Sequence, residues 1–230
     1  MRYVAGLFLL LILKSHPAYS NQTLVFVALG EGPKYVLQEA YRRLNLSITI
    51  ELMPAGERAL WIANQGIVDG DLIRIANIQA RYPNLLMVPT PVYYIEQMVF
   101  SKQQDFPVQG WNSLRPYNIG ILIGMKIVED GTKGMTTIGA TSYEQLMQLV
   151  NLNRVDIGIL PRINILMEMK RMQRSKLKIL EPPVAVTPLY HYLHKKHHTL
   201  VPKLNQVLQA MEQEGIIKKL INQFFVEATQ

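Results

Sequence analysis

Two stretches of this chain end in an arginine after the same pattern. Asn64-Gln-Gly-Ile-Val-Asp-Gly-Asp-Leu-Ile-Arg74 and Leu152-Asn-Arg-Val-Asp-Ile-Gly-Ile-Leu-Pro-Arg162 each follow an amphipathic helical run, pass through Val-Asp and enter a short apolar strand. The echo predicts two similar lobes, each presenting a cation near a strand end. In open α/β sheets, the crevice outside the C-terminal strand ends is where ligands bind. The alternatives are local. Arg74 pairs with Asp69 or Asp71 in its own turn, and Arg162 is a structural arginine behind Pro161.

Machinery for covalent chemistry is not visible. Gly30-Glu-Gly32 lacks the third glycine of a dinucleotide loop at the right spacing, and there is neither a Gly-Lys-Ser/Thr phosphate loop nor a Gly-x-Ser-x-Gly elbow. The chain has no cysteine, which removes thiolate chemistry and disulfides. His191, His194, His197 and His198 raise a metal reading, but Lys195 and Lys196 between them oppose a cation. The expectation there is no metal, and a wet turn before a C-terminal helix. Lys170, Arg171, Arg174, Lys176 and Lys178 form a basic run after a helix, expected to be a solvated face.

The elements that must position the two arginines follow from apolar periodicity. Leu24 to Leu29 is a continuous apolar run, as in a strand covered on both faces. Val36, Leu37, Ala40, Tyr41 and Leu44 recur at helical spacing. Ser47 to Leu52 alternates, Ala59 to Ala63 is helical, and Val68 to Ile73 and Leu85 to Val88 are strands. This β-α-β-α-β order defines one doubly wound lobe. Tyr117 to Ile123, Met135 to Ile138, Val155 to Leu160 and Leu177 to Leu180 supply the strands of a second. Its helices start at Thr141-Ser-Tyr-Glu144, which has capping-box spacing, and after Pro161. Val92 to Ser101 and Val184 to Leu193 are long and extended, suited to cross between lobes. Leu200 to Met211 and Ile217 to Phe224 carry two terminal helical stripes separated by Gly215. The fold class expected is α/β, two doubly wound lobes joined by two crossing strands. Residues 21–94 and 191–230 would make a discontinuous first lobe and 95–190 the second. Two crossings between compact lobes make a hinge with a cleft.

The start of the chain reads as a leader. Met1-Arg2 supplies positive charge, Val4 to Leu13 an apolar core, and Ala18 and Ser20 the small-residue spacing of a signal-peptidase site. Cleavage after Ser20 is expected, with export to a bacterial periplasm, where a cysteine-free secreted chain is at home. Removing Arg2 and Lys14 takes the formal charge from +7 to +5. That excess is modest and spread along the chain, so it does not call for nucleic acid.

With these elements in place, the chain resembles bacterial periplasmic solute-binding proteins of family 3, the type that serves amino-acid ABC transporters. The residues that carry the likeness are Pro54-Ala-Gly-Glu-Arg-Ala-Leu60, Gly66-Ile-Val-Asp-Gly-Asp-Leu-Ile-Arg74, Tyr82-Pro-Asn-Leu-Leu-Met-Val88, Tyr117-Asn-Ile-Gly-Ile-Leu-Ile-Gly124, Asn153-Arg-Val-Asp-Ile-Gly158 and Met211 to Ile221 with Gly215. The resemblance implies a type II periplasmic binding protein fold, a monomeric clamp without a cofactor, a small solute as ligand, and a membrane permease or receptor as transient partner. It implies that Arg74 holds a ligand carboxylate through its bidentate fork. It also implies that Gly124 to Lys126 opens a second-lobe helix whose N–H groups face an anion. Two departures point away from a plain α-amino acid. Ile159-Leu-Pro-Arg162 replaces the acid that commonly grips the ligand ammonium, and Pro89-Thr-Pro-Val92 replaces Ser-x-Pro-Tyr. With Arg58, Arg74, Lys126 and Arg162 near the cleft, an anionic solute fits better, while Glu31 is placed to take a ligand amine. Tyr93 and Tyr94 alternate on a strand, so at most one faces the cleft, with Tyr94 the candidate. The alternatives to a binder are a dehydratase or lyase of small acids, with Glu31, Glu96 or a histidine as acid/base, and a sensing module for a membrane receptor.

Overall fold

The computed structural model describes residues 23–30, 32, 34–53, 55–172 and 176–229. The expected leader, its cleavage site and Glu31 lie outside the described residues. The first lobe opens with β1 (Thr23–Ala28), α1 (Lys34–Arg43), β2 (Ser47–Leu52), α2 (Gly56–Asn64), β3 (Gly70–Arg74) and β4 (Leu85–Met87). A crossing strand, β5 (Tyr93–Ser101), leads to β6 (Ile119–Leu122), α3 (Lys126–Gly131), β7 (Thr137–Ala140), α4 (Tyr143–Asn151), β8 (Ile157–Pro161) and α5 (Arg162–Arg171). The second crossing strand, β9 (Lys178–His194), returns to α6 (Leu200–Gln213) and α7 (Ile216–Thr229). The strand order is β2-β1-β3-β9-β5-β8-β6-β7, with β4 also on β9. This is the α/β architecture expected, two doubly wound lobes sharing two crossing strands.

Each lobe buries both faces of its sheet. On one face of the first, Phe26, Val36, Leu37, Tyr41, Leu204, Leu208 and Met211 pack α1 and α6 onto the strands. On the other, Val27, Ala59, Leu60, Ala63 and Tyr192 pack α2. In the second lobe Met98, Phe100, Leu146, Met147 and Ile165 hold α4 and α5, and Val99, Leu114, Ile119, Val128 and Ile157 hold α3. Full burial of side chains of this size is worth about 1.5–3 kcal/mol each.

Two local expectations are corrected. Leu177 to Leu180 and Val184 to Leu193 are not separate strands but one, β9. Its pairing with β5 jumps from Val99–Leu180 to Gln97–Ala185, so an irregularity absorbs Glu181 to Val184. Prolines 182 and 183 sit inside that irregularity, where a missing N–H costs no ladder bond. The cap of α4 is Ser142 rather than Thr141. Ser142 is extended and accepts the Gln145 N–H, while Gln145 Oε1 accepts from the N–H and hydroxyl of Thr141. The motif is displaced by one residue, and glutamine closes it in place of Glu144.

Of the four histidines, only His197, half-buried, and His198, exposed, lie in the turn before α6 that was expected. His191 is fully buried, and His194 is buried at the end of β9. His191 Nδ1 lies 2.9 Å from the Leu72 carbonyl, so that nitrogen carries the proton, and Nε2 accepts from the Tyr41 hydroxyl at 2.8 Å. The ring is therefore neutral, and burial holds its pKa down at about 4. A base whose folded pKa is depressed stabilises the fold above its ordinary value of 6.5, and that contribution is lost as pH falls towards 4. Tyr41→Phe, which strands Nε2, is expected to cost about 1–3 kcal/mol. Urea unfolding of the variant at pH 7 checks this, and an unchanged midpoint would contradict it.

Candidate ligand cleft

The direction of β9 decides which strand ends face each other. β9 and β8 are both antiparallel to β5, so they run the same way in the second lobe. β9 therefore leaves that lobe on the side of the C-terminal ends of β8 and β6. It enters the first lobe antiparallel to β3, pairing Tyr190 with Arg74 before Leu193 with Gly70. It thus arrives on the side of the C-terminal ends of β1, β2 and β3. The two lobes turn the same kind of strand end towards their junction, the place where α/β sheets bind ligands.

Arg74 stands at that end of β3, and its orientation depends on an irregularity. On a regular strand, residues three apart point to opposite faces. Here β3 uses three steps from Asp71 to Arg74 where β9 uses two, from Tyr192 to Tyr190. The extra residue is a bulge, and it lets the two side chains meet. Arg74 Nη2 lies 2.8 Å from Asp71 Oδ2, with side-chain exposures of 8% and 0%. The pair is close but poorly aligned. Both Asp71 oxygens and the Nε and Nη2 atoms of Arg74 are buried without a hydrogen-bond partner. Burial pushes the Asp71 carboxyl up to about 7, against the pull of the Arg74 guanidinium. Arg74 Nε faces no acceptor and Nη2 is poorly aligned with Asp71, which leaves both as donors for a ligand.

Arg74 opens onto a cleft of about 360 Å³ walled by Gly56, Leu60, Ile75, Asn77, Ile78 and Tyr82. The volume is in the range of small-molecule sites. Glu57 stands at its rim. It accepts the Tyr82 hydroxyl at 2.6 Å and an Arg81 N–H at 3.0 Å, contacts that hold its carboxyl below the usual range.

The other expected site residues do not gather around Arg74. Arg58 is exposed on α2 and does not line the cleft. Lys126 is exposed and paired with Asp130 at 2.8 Å, one turn along its own helix. Gly124 has the left-handed φ of +88° that glycine accommodates. Its N–H donates to Glu129 Oε1 at 2.8 Å, so the loop spends this donor on its own helix. Arg162 is held by Glu96, on one crossing strand, and by Glu181, on the other, its Nη1 lying 2.8 Å from Glu181 Oε1. It lines a larger groove, about 800 Å³, with Tyr93, Tyr94, Leu166, Ile221 and Phe225. Both tyrosines border this groove, Tyr93 buried and Tyr94 41% exposed, and neither lines the Arg74 cleft. The larger groove is the weaker candidate for an anion, because its arginine is already matched by two carboxylates. Asn77, Arg81, Tyr82 and Glu57 around the smaller cleft were not foreseen. Asn77 carries a left-handed φ of 68° that asparagine tolerates, the one local signal for that turn.

No family model matches the chain. An uncharacterized protein of Shewanella oneidensis is 26% identical over 223 residues, spanning 88% of this chain and 82% of its own. A probable amino-acid ABC transporter extracellular-binding protein of Bacillus subtilis superposes with a TM-score of 0.67 at 15% identity, over 87% of this chain and 96% of its own. The GluR0 ligand-binding core in complex with L-glutamate also gives 0.67, at 11% identity, over 90% and 99%. The fold is that of the type II periplasmic binding proteins. Other structures it superposes on include the substrate-binding protein of an amino-acid ABC transporter and a histidine kinase sensor domain similar to periplasmic binding proteins.

Proposed function

We propose that this is an exported solute-binding protein that captures a small carboxylate-bearing molecule between its lobes and delivers it to a membrane permease. The observation that carries the reading is Arg74: a buried guanidinium at the junction-facing end of β3, with its Nε free of any acceptor, opening onto a cleft of small-molecule size whose walls are all first-lobe residues and which the second lobe would cover on closure. Closure follows from contacts that both lobes make with the solute only when they are together. The lobes in this reading comprise residues 21–94 with 191–230, and 95–190, after removal of residues 1–20. The transporter binding proteins among the neighbours support the transport role and a location outside the inner membrane.

Thermal unfolding in the presence of a panel of organic acids and amino acids tests it. A ligand at a hundred times its Kd adds about 2.7 kcal/mol. For a chain of this size that is expected to raise Tm by roughly 5–10 °C. Mass spectrometry should return the ligand unchanged, where a dehydratase or lyase would alter it. Intact mass of the exported chain should correspond to a start at Asn21. A folded protein whose Tm is insensitive to every class of acid would contradict the proposal.

A further inference from the structure

The strand ends that flank the junction are apolar as well as cationic. Leu29 follows β1, Leu52 ends β2, Ile75 follows β3 and Ile123 follows β6, and their exposures are 52%, 54%, 54% and 61%. Single exposed leucines are ordinary. Four at the same end of four strands, on both sides of the junction, form a pattern. Two of them, Leu29 and Ile123, sit where a glycine leaves room. A Cβ on Gly56, which walls the Arg74 cleft, would lie 3.2 Å from Leu29 Cδ2, and one on Gly139 would lie 2.8 Å from Ile123 Cγ1. Leu29 and Ile123 lie over glycines with their outer surfaces open.

The charges point the same way. Arg74, more than nine-tenths buried, has donors to spare. The acids are turned away from an incoming ammonium: Asp71 is fully buried beside Arg74, Glu57 is held by Tyr82 and Arg81, Glu129 by the Gly124 N–H, and Glu96 and Glu181 by Arg162. A buried cation whose cleft has Leu60, Ile75 and Ile78 on its walls and the mutually paired Glu57, Arg81 and Tyr82 at its rim, with the exposed Leu29, Leu52 and Ile123 at the neighbouring strand ends, matches a ligand with a carboxylate at one end and hydrocarbon at the other. It does not match a zwitterion, whose ammonium would be desolvated against leucine and isoleucine without a partner.

We infer that the solute is a small monocarboxylate with a branched apolar body, such as a 2-oxo acid, and not a polar amino acid. This rests on the Arg74 clamp proposed above. Calorimetry of the leaderless protein with 4-methyl-2-oxopentanoate, L-leucine and L-glutamine tests the two separately. The oxo acid is expected to bind at least about tenfold more tightly than L-leucine, and L-glutamine more weakly still. Ile75→Ser and Ile123→Ser, both at exposed positions, should each weaken the oxo acid about tenfold, the scale of a lost aliphatic contact. Tighter binding of L-leucine or L-glutamine would overturn the substrate class. If that binding fell in Glu31→Gln and also in Arg74→Met, an ammonium site would be identified and the clamp would stand. Binding of the oxo acid that is indifferent to Arg74→Met would overturn the clamp and the inference together.

Discussion

Arg74→Met is expected to weaken solute binding by roughly a hundredfold or more, the scale for truncating one side of a buried charged contact. It should also destabilise the protein by about 3–5 kcal/mol at pH 8, because Asp71 is left as a buried carboxylate without its counter-ion. The stability loss should depend on pH. The Asp71 carboxyl already stands at about 7 in the fold, against an ordinary 3.8, and without the guanidinium it rises further. A carboxyl with a raised folded pKa favours the fold when protonated. Its contribution is complete below the ordinary value and is lost as pH rises through the folded one. The variant should therefore differ little from the parent near pH 4 and most above pH 7. Urea unfolding at pH 5 and pH 8 measures the difference. An equal loss at both would mean that the charge of Asp71 is not what has been stranded. Pairing Arg74→Met with Asp71→Leu should restore most of the stability and none of the binding, which separates the two roles of the arginine.

Gly70→Ala is expected to cost more than about 4 kcal/mol, in the exceptional tail of single substitutions. Gly70 begins β3 and is enclosed by backbone on both sides, pairing with Phe26 of β1 and Leu193 of β9. A Cβ there would lie 2.0 Å from the Tyr192 carbonyl oxygen. A side chain can rotate away from such a contact, but a central strand cannot move without breaking its ladder. The pairing that would break is the one that sets the Asp71–Arg74 bulge, so binding should fall with stability. Gly30→Ala is the control. Nothing lies within 4 Å of its Cβ position, and a change within about 0.5 kcal/mol is expected. A Gly70→Ala protein as stable as the Gly30→Ala protein would contradict the register of β3 against β9.

The fold was legible in the sequence where apolar runs met breakers. Leu24 to Leu29 ending at Gly30, and Tyr117 to Ile123 ending at Gly124, mark strands that both become part of buried sheets. The long breaker-free stretch from Val92 to Ser101 marked the first crossing. The second was read as two pieces because Pro182 and Pro183 are strand breakers in isolation, and only the pairing with β5 shows the irregularity that tolerates them. The site was less legible for a related reason. The position of Arg74 at a strand end follows from local pattern, but its meeting with Asp71 needs an extra residue relative to β9, more than a hundred positions away. Arg162 matched Arg74 in its local pattern and differs in surroundings, since Glu96 and Glu181 reach it from both crossing strands. Sequence spacing placed the two arginines at equivalent strand ends. The partners each one meets come from tertiary pairing, and those partners leave Arg74 with donors to offer and Arg162 without.

A crystal structure with the carboxylate that titrates most tightly tests the central claim most directly. The account predicts the carboxylate between the lobes, with its oxygens at about 2.7–2.9 Å from Nε and Nη2 of Arg74, the length of a charge-assisted hydrogen bond. A ligand seated instead in the groove beside Arg162 and Phe225, with Arg74 still facing only Asp71, would contradict it.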